Sequence, residues 1–267
     1  MDEDYLNLLR QGFDDRWIDV YENKGKRSGA YSTCVYGHHP YVLLNYQGTL
    51  DNVFTLAHEM GHSLHSCYTN MNQSYINSNY NIFVAEIAST CNEYILINHL
   101  LKNAASKEEK AYLLNHLMDQ FKGTLFRQTM FAEFEMITHE MEANGEALTC
   151  DVLCNIYKDL NKLYFGPDMV VDDEISMEWA RIPHFYTPFY VYQYATGLSA
   201  AIAFGSRILS EDEDALFDYK RFLSSGCSMD CIDLLKSCGV DMTTGEPTRE
   251  ALRVFNHYLT ELEKMFD

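Results

Sequence analysis

The sequence predicts an all-α fold with a small β element. Apolar residues recur at helical spacing along most of the chain, and only one short run is dense in strand-forming residues. Only five of the 267 residues are proline and 47% are hydrophobic, so long helices can form and a substantial core can be buried.

Residues 2–20 open with an amphipathic helix, and the stretch 22–32, with two glycines and the cluster Lys24, Lys26 and Arg27, reads as a loop. HPYVLLNY (39–46) is the best strand candidate. GTLDN then turns the chain, with Thr49 or Asp51 available to cap a helix from about 52 to 67. The Asn/Ser/Tyr-rich stretch 69–81 lacks periodicity and reads as a loop before a long helix over 82–103. Helical patterns follow at 107–122, 124–144 and 145–165, the last with Thr149 as its cap. Residues 166–185 form a loop region with two prolines. A long helix over 187–209 carries Pro188 in its first turn, and two or three shorter helices finish the chain. Without an internal repeat or a linker, residues 1–267 read as a single region.

Composition removes several function classes. A net charge of −19 argues against nucleic acid, whose binding requires a basic face to displace counterions. No run of about 18 apolar residues is present, so no membrane partner is expected. Met1 is followed by Asp-Glu-Asp, unlike a secretory signal, and the expected compartment is the cytoplasm. The eight cysteines contain no CxxC pair and read as free thiols, including the pairs Cys150/Cys154 and Cys227/Cys231.

FTLAHEMGHSLH (54–65) is the stretch that carries chemistry. On a helix, His58 and His62 lie one turn apart on one face and can direct two ring nitrogens at one point about 2 Å away, as zinc requires. Glu59 is rotated off that line and can reach a water on the metal without binding the metal. The competing reading is an amphipathic helix with two solvent-facing histidines, since a chance HExxH occurs in about one in a hundred chains of this size. A third ligand decides between them. His65 lies about 10 Å along the axis from His58, too far to share one ion. Glu86, in FVAEIASTCNEY (83–94), sits among apolar residues where an unpaired carboxylate is costly and a metal would relieve that cost. Glu93 shares its face and either hydrogen-bonds a ligating histidine or forms an ordinary salt bridge.

FTLAHEMGHSLHS, FVAEIASTCNE, FRQTMFAEFE (126–135) and RIPHFYTPFYVYQYATG (181–197), in this order, closely resemble the oligoendopeptidase F group of the thimet-oligopeptidase-like zinc metallopeptidases. The resemblance spans nearly the whole chain and implies a zincin-type catalytic lobe. It implies one zinc ion held by His58, His62 and Glu86, with Glu59 as general base in the hydrolysis of internal bonds of short peptides. It also assigns a histidine and tyrosines of the 181–197 segment to substrate and transition-state binding, here His184, Tyr190 and Tyr194; aromatic packing is the alternative for each tyrosine. On a helix starting near Thr187, Tyr190 and Tyr194 would stack as i and i+4. The strand YVLLNY is expected to offer an edge to the peptide backbone. His38 and His39 read as surface residues, and the apolar positions of FRQTMFAEFE as core.

The resemblance has a further implication. Members of that family are roughly twice as long, their amino-terminal half forming the opposite wall of a channel over the zinc. The expectation is therefore a catalytic half, a fragment or a truncated gene product, with exposed apolar surface favouring self-association and an open groove giving weak turnover. The runner-up reading is a zinc-containing peptide-binding protein without turnover; a zinc hydrolase acting on other amides or esters is the third.

Overall fold

The computed structural model describes residues 1–266, and its contacts divide them into two compact units. The first comprises Met1–Leu117 together with the residues from Gly197 onward. It contains helices α1 (Glu3–Asp14), α2 (Leu50–Asn72), α3 (Ile82–Asn103), most of α4 (Lys107–Phe121) and a three-stranded sheet of β1 (Ile18–Asp19), β2 (Tyr31–Thr33) and β3 (Tyr41–Leu43). The second, Met118–Thr196, contains α5 (Arg127–Ala143), α6 (Cys150–Phe165) and the first turn of α7 (Tyr192–Leu209). The remainder of α7, with α8 (Ala215–Ser224), α9 (Cys231–Ser237) and α10 (Glu246–Glu263), belongs to the first unit. The fold is thus helical with a small sheet, as the periodicity predicts. Among the described residues, no helix is long and apolar enough to cross a membrane.

Local chemistry sets the starts of α2 and α3. Thr49 caps α2 through a capping box: its hydroxyl accepts from the Asn52 N–H at 3.3 Å, and the Asn52 side chain accepts from the Thr49 N–H. Asn81 caps α3 by accepting from the Phe83 N–H at 2.9 Å. α2 runs past the expected end at 67 because its tail is packed. Thr69 is buried and donates to the Leu223 carbonyl on α8 at 2.8 Å, and tertiary contact overrides weak local propensity. The first helix is shorter than expected, stopping at Asp14 before β1.

β3 is the central strand, not an edge, in the order β1-β3-β2. Val42 and Leu44 donate their N–H groups to the Trp17 and Asp19 carbonyls on the β1 side. The other peptide groups of β3 therefore face β2, where Tyr41 and Leu43 pair with Thr33 and Tyr31. Ser32 consequently presents its N–H and C=O on the outward edge of β2. The sheet packs Trp17, Val42 and Leu44 into one core with Met60 and Leu64 of α2, so the edge is fixed against the helix carrying the HExxH residues. A hydroxyl contact between Ser32 and Ser63, 2.9 Å, ties edge to helix directly.

Gly61 sets the crossing of α2 and α3. A Cβ there would stand 2.5 Å from Ser89 Cα and 2.7 Å from the Ala88 carbonyl oxygen, both backbone atoms that cannot swing aside. Gly61→Ala should destabilise the chain by about 1–3 kcal/mol through overpacking. It should lower the urea midpoint with little change of slope, and an unchanged midpoint would contradict this crossing.

In the second unit, Met130, Phe131 and Phe134 of α5 are buried with Tyr157, Leu160, Ile182 and Val191, which gives FRQTMFAEFE the core role expected. The 187–209 helix begins five residues late, at Tyr192, so Pro188 is not in its first turn. Phe189 takes φ +59, which stops a helix, and its N–H is held by the buried Glu135 carboxylate at 2.6 Å. The loop expected at 166–185 contains two short 3₁₀ segments, Glu174–Arg181 and Pro183–Tyr186.

Candidate metal centre

His58, His62 and Glu86 converge: one ligand atom from each lies within 4.8 Å of the others. The two histidines come from successive turns of α2 and the glutamate from the first turns of α3, brought across by the Gly61 crossing. Glu86 Oε2 is 3.2 Å from His58 Nε2 and 3.4 Å from His62 Nε2. Ser89, a residue the sequence reading did not single out, donates its hydroxyl to the same Oε2 at 3.1 Å.

Glu93 does more than form a surface salt bridge. Its Oε1 lies 2.6 Å from His58 Nδ1, so the ring carries its proton there and turns the Nε2 lone pair toward Glu86. A lone pair and a carboxylate oxygen facing each other call for a cation between them. In the ion-free protein a proton fills that need. Burial pulls the His58 pKa down, but the hydrogen bonds and charges of Glu86 and Glu93 outweigh it and push it up to about 10. Burial raises the Glu86 carboxyl, yet the two histidines hold it well below the usual carboxylate range. Two imidazole nitrogens and one carboxylate are a donor set that a catalytic zinc ion takes.

The proton on His58 gives a measurable linkage. His58 is charged below about pH 10 in the ion-free protein, whereas a ligating imidazole is neutral. Zinc binding at pH 7 should therefore release about one proton, read by calorimetry in buffers of different ionisation enthalpy. Binding without proton release would contradict the His58 assignment.

Glu59 lies beside this set and is buried, 6% exposed. Its carboxylate accepts the outward N–H of Ser32, and its Oε2 has no hydrogen-bond partner in the protein. Burial, the largest influence, raises its pKa, opposed by the charges of His58 and His62. That is the state of a base whose free oxygen is reserved for another proton. His65 is not part of the set: it is fully buried, stacked on Tyr80 with ring centroids 3.8 Å apart, and burial depresses its pKa to about 3.

The second unit brings together the other predicted residues. His184 stacks on Tyr190 at 5.8 Å and 8°, and Tyr194 meets both rings edge-on at 6.0 and 5.4 Å. Tyr190 precedes α7 rather than lying on it, but the two tyrosines still meet, with Tyr194 donating to the Tyr190 hydroxyl at 3.1 Å. The proton of Tyr190 is thereby directed elsewhere.

The fold is that of the M3-type metallopeptidases. The chain belongs to peptidase family M3, whose model matches residues 2–254. It is 53% identical over 263 residues to the oligopeptidase PepF of Bacillus subtilis (strain 168), covering 98% of this chain and 39% of that one. It is 47% identical over 265 residues to the chromosomal oligoendopeptidase F of Lactococcus lactis subsp. cremoris, covering 99% and 44%. A crystal structure of oligoendopeptidase-F from Enterococcus faecium superposes with a TM-score of 0.74 at 46% identity, covering 82% of this chain and 40% of that one. The chain thus spans less than half the length of the curated relatives it matches.

Proposed function

We propose that this chain carries the catalytic centre of a zinc-dependent endopeptidase acting on short oligopeptides. One observation carries the reading above the rest: two histidine Nε2 atoms and a glutamate oxygen converge beside a buried glutamate, with Glu93 Oε1 2.6 Å from the other ring nitrogen of His58. His58, His62 and Glu86 would hold one zinc ion. Zinc, when bound, supplies Lewis acidity that acidifies a water and polarises the scissile carbonyl. Glu59 takes the proton of the attacking water on its free Oε2 and delivers it to the leaving amine. The outward edge of β2, in place of the β3 edge expected from sequence, offers the Ser32 carbonyl to the backbone of an extended peptide without regard to its sequence. The family resemblance gives Tyr190, with the His184 and Tyr194 rings packed against it, the role of donor to the charge that develops on the carbonyl oxygen. The eight free cysteines support a cytoplasmic setting.

Tyr190→Phe should lower kcat roughly ten- to a thousandfold while KM changes little, as loss of a donor used only in the transition state requires. An unchanged kcat would return Tyr190 to aromatic packing. The substrate class is tested with quenched-fluorescent peptides blocked at both ends, set against ester and simple amide substrates. Cleavage of internal bonds of the blocked peptides is expected. Turnover confined to esters or small amides would replace the peptidase reading with that of a different zinc hydrolase.

A further inference from the structure

The helix that carries the two histidines keeps presenting side chains beyond them. Between Glu59 and Thr69, α2 is buried except at His62 and Ser66, and the same face continues from His58 through Ser66 to Asn70. Ser66 lies about 6 Å and Asn70 about 12 Å along the axis from His62. Both line a cavity of about 680 Å³ whose other walls are the β2 edge with the residues up to Tyr36 and the loop Tyr75–Tyr80. Among the described residues, none that lines it is Asp, Glu, Lys, Arg or His.

The walls are built rather than loose. Ser66 and Tyr80 share a hydroxyl contact at 3.1 Å, and the Tyr80 ring rests on His65. Tyr36 donates to the Gln73 carbonyl at 3.0 Å and meets Tyr75 edge-on at 5.6 Å. The Asn77 carbonyl accepts the Cys227 N–H at 3.1 Å, and the adjacent Gly226 (φ +51) leaves no room for a side chain, since a Cβ would stand 2.1 Å from that oxygen.

We propose that this cavity is a specificity subsite receiving one uncharged side chain of a peptide whose scissile bond lies at His58, His62 and Glu86. The inference rests on the peptidase reading and adds the substrate preference to it. In an extended peptide, side chains on one face repeat about every 6.8 Å. That step is close to the rise from His62 to Ser66, so a backbone running along β2 delivers a side chain into the cavity. A charged side chain there would lose water and meet no countercharge.

The test uses binding to the zinc-loaded chain, so it does not depend on turnover. Dipeptide hydroxamates identical except for one residue (Gly, Leu, Phe, Asp or Lys) carry the chelating group on either side of that residue, and calorimetry gives each Kd. In one orientation, Phe and Leu should bind roughly tenfold tighter than Asp and Lys. Asn70→Asp adds a negative charge to the wall and should shift the Lys/Phe affinity ratio about tenfold toward Lys, leaving Gly binding and zinc content unchanged. Tyr75→Ala should reduce the Phe advantage. A flat series with intact Gly binding, or an Asn70→Asp ratio equal to wild type, overturns the subsite and leaves the metal reading standing. If even the Gly compound fails to bind, the metal reading fails and the subsite with it.

Discussion

Glu59→Gln should leave the metal and the fold in place and lower kcat by about 10²- to 10⁴-fold. Glutamine has the volume of glutamate and keeps an oxygen for the Ser32 N–H, so the contact to β2 survives. What it lacks is basicity. Glu59 is 6% exposed and its Oε2 is unpartnered in the protein, so no neighbour is left with a broken bond and stability should change little. Because the loss falls on the chemical step, KM should hardly move. The wild-type pH profile should agree. Burial raises the Glu59 pKa, so the base is protonated, and activity falls, as pH drops through a value above that of an exposed glutamate. Steady-state kinetics and metal analysis on one preparation check the variant. Near-normal kcat with full zinc would remove Glu59 from the chemistry.

Glu86→Ala should abolish stable zinc binding, taking the metal content of the purified chain from about one ion to none, and activity with it. Of the three converging groups, its Oε2 is the one contributed by α3, and it lies 3.2 and 3.4 Å from the two imidazoles. The carboxylate is ionised throughout the neutral range because His58 and His62 hold its pKa down. Two neutral imidazoles from one helix supply neither the charge nor the enclosing geometry of a three-ligand site. Ser89, which donates to Oε2, would lose that partner, yet it also donates to the Glu86 main-chain carbonyl at 3.0 Å, so α3 should persist. Full zinc occupancy in this variant would show that the third ligand is elsewhere, with Glu93 the nearest carboxylate on the same helix.

The three converging groups are legible in the sequence because the information is local. His58 and His62 are placed by helical spacing alone, and Glu86 by the cost of a carboxylate among apolar neighbours. The sequence allows Glu93 either a salt bridge or a contact to His58, and only the crossing of α2 and α3 selects the latter. What the sequence does not show depends on tertiary packing. Gly61 looks like a weak point in a helix until Ser89 is seen against it. The β2 edge hides in a loop-like stretch, since its identity depends on which side of β3 pairs with β1. The start of α7 is displaced by the Phe189 N–H bonding to Glu135, 54 residues away.

The most direct measurement is a zinc titration of the chelator-stripped chain, following bound metal and cleavage of a blocked peptide together. The account predicts that cleavage is absent without metal, rises in proportion to zinc and stops rising at about one equivalent, whereas Glu59→Gln fills with the same stoichiometry and stays silent. Cleavage that persists in the stripped chain, or that is equal in Glu59→Gln, would contradict it.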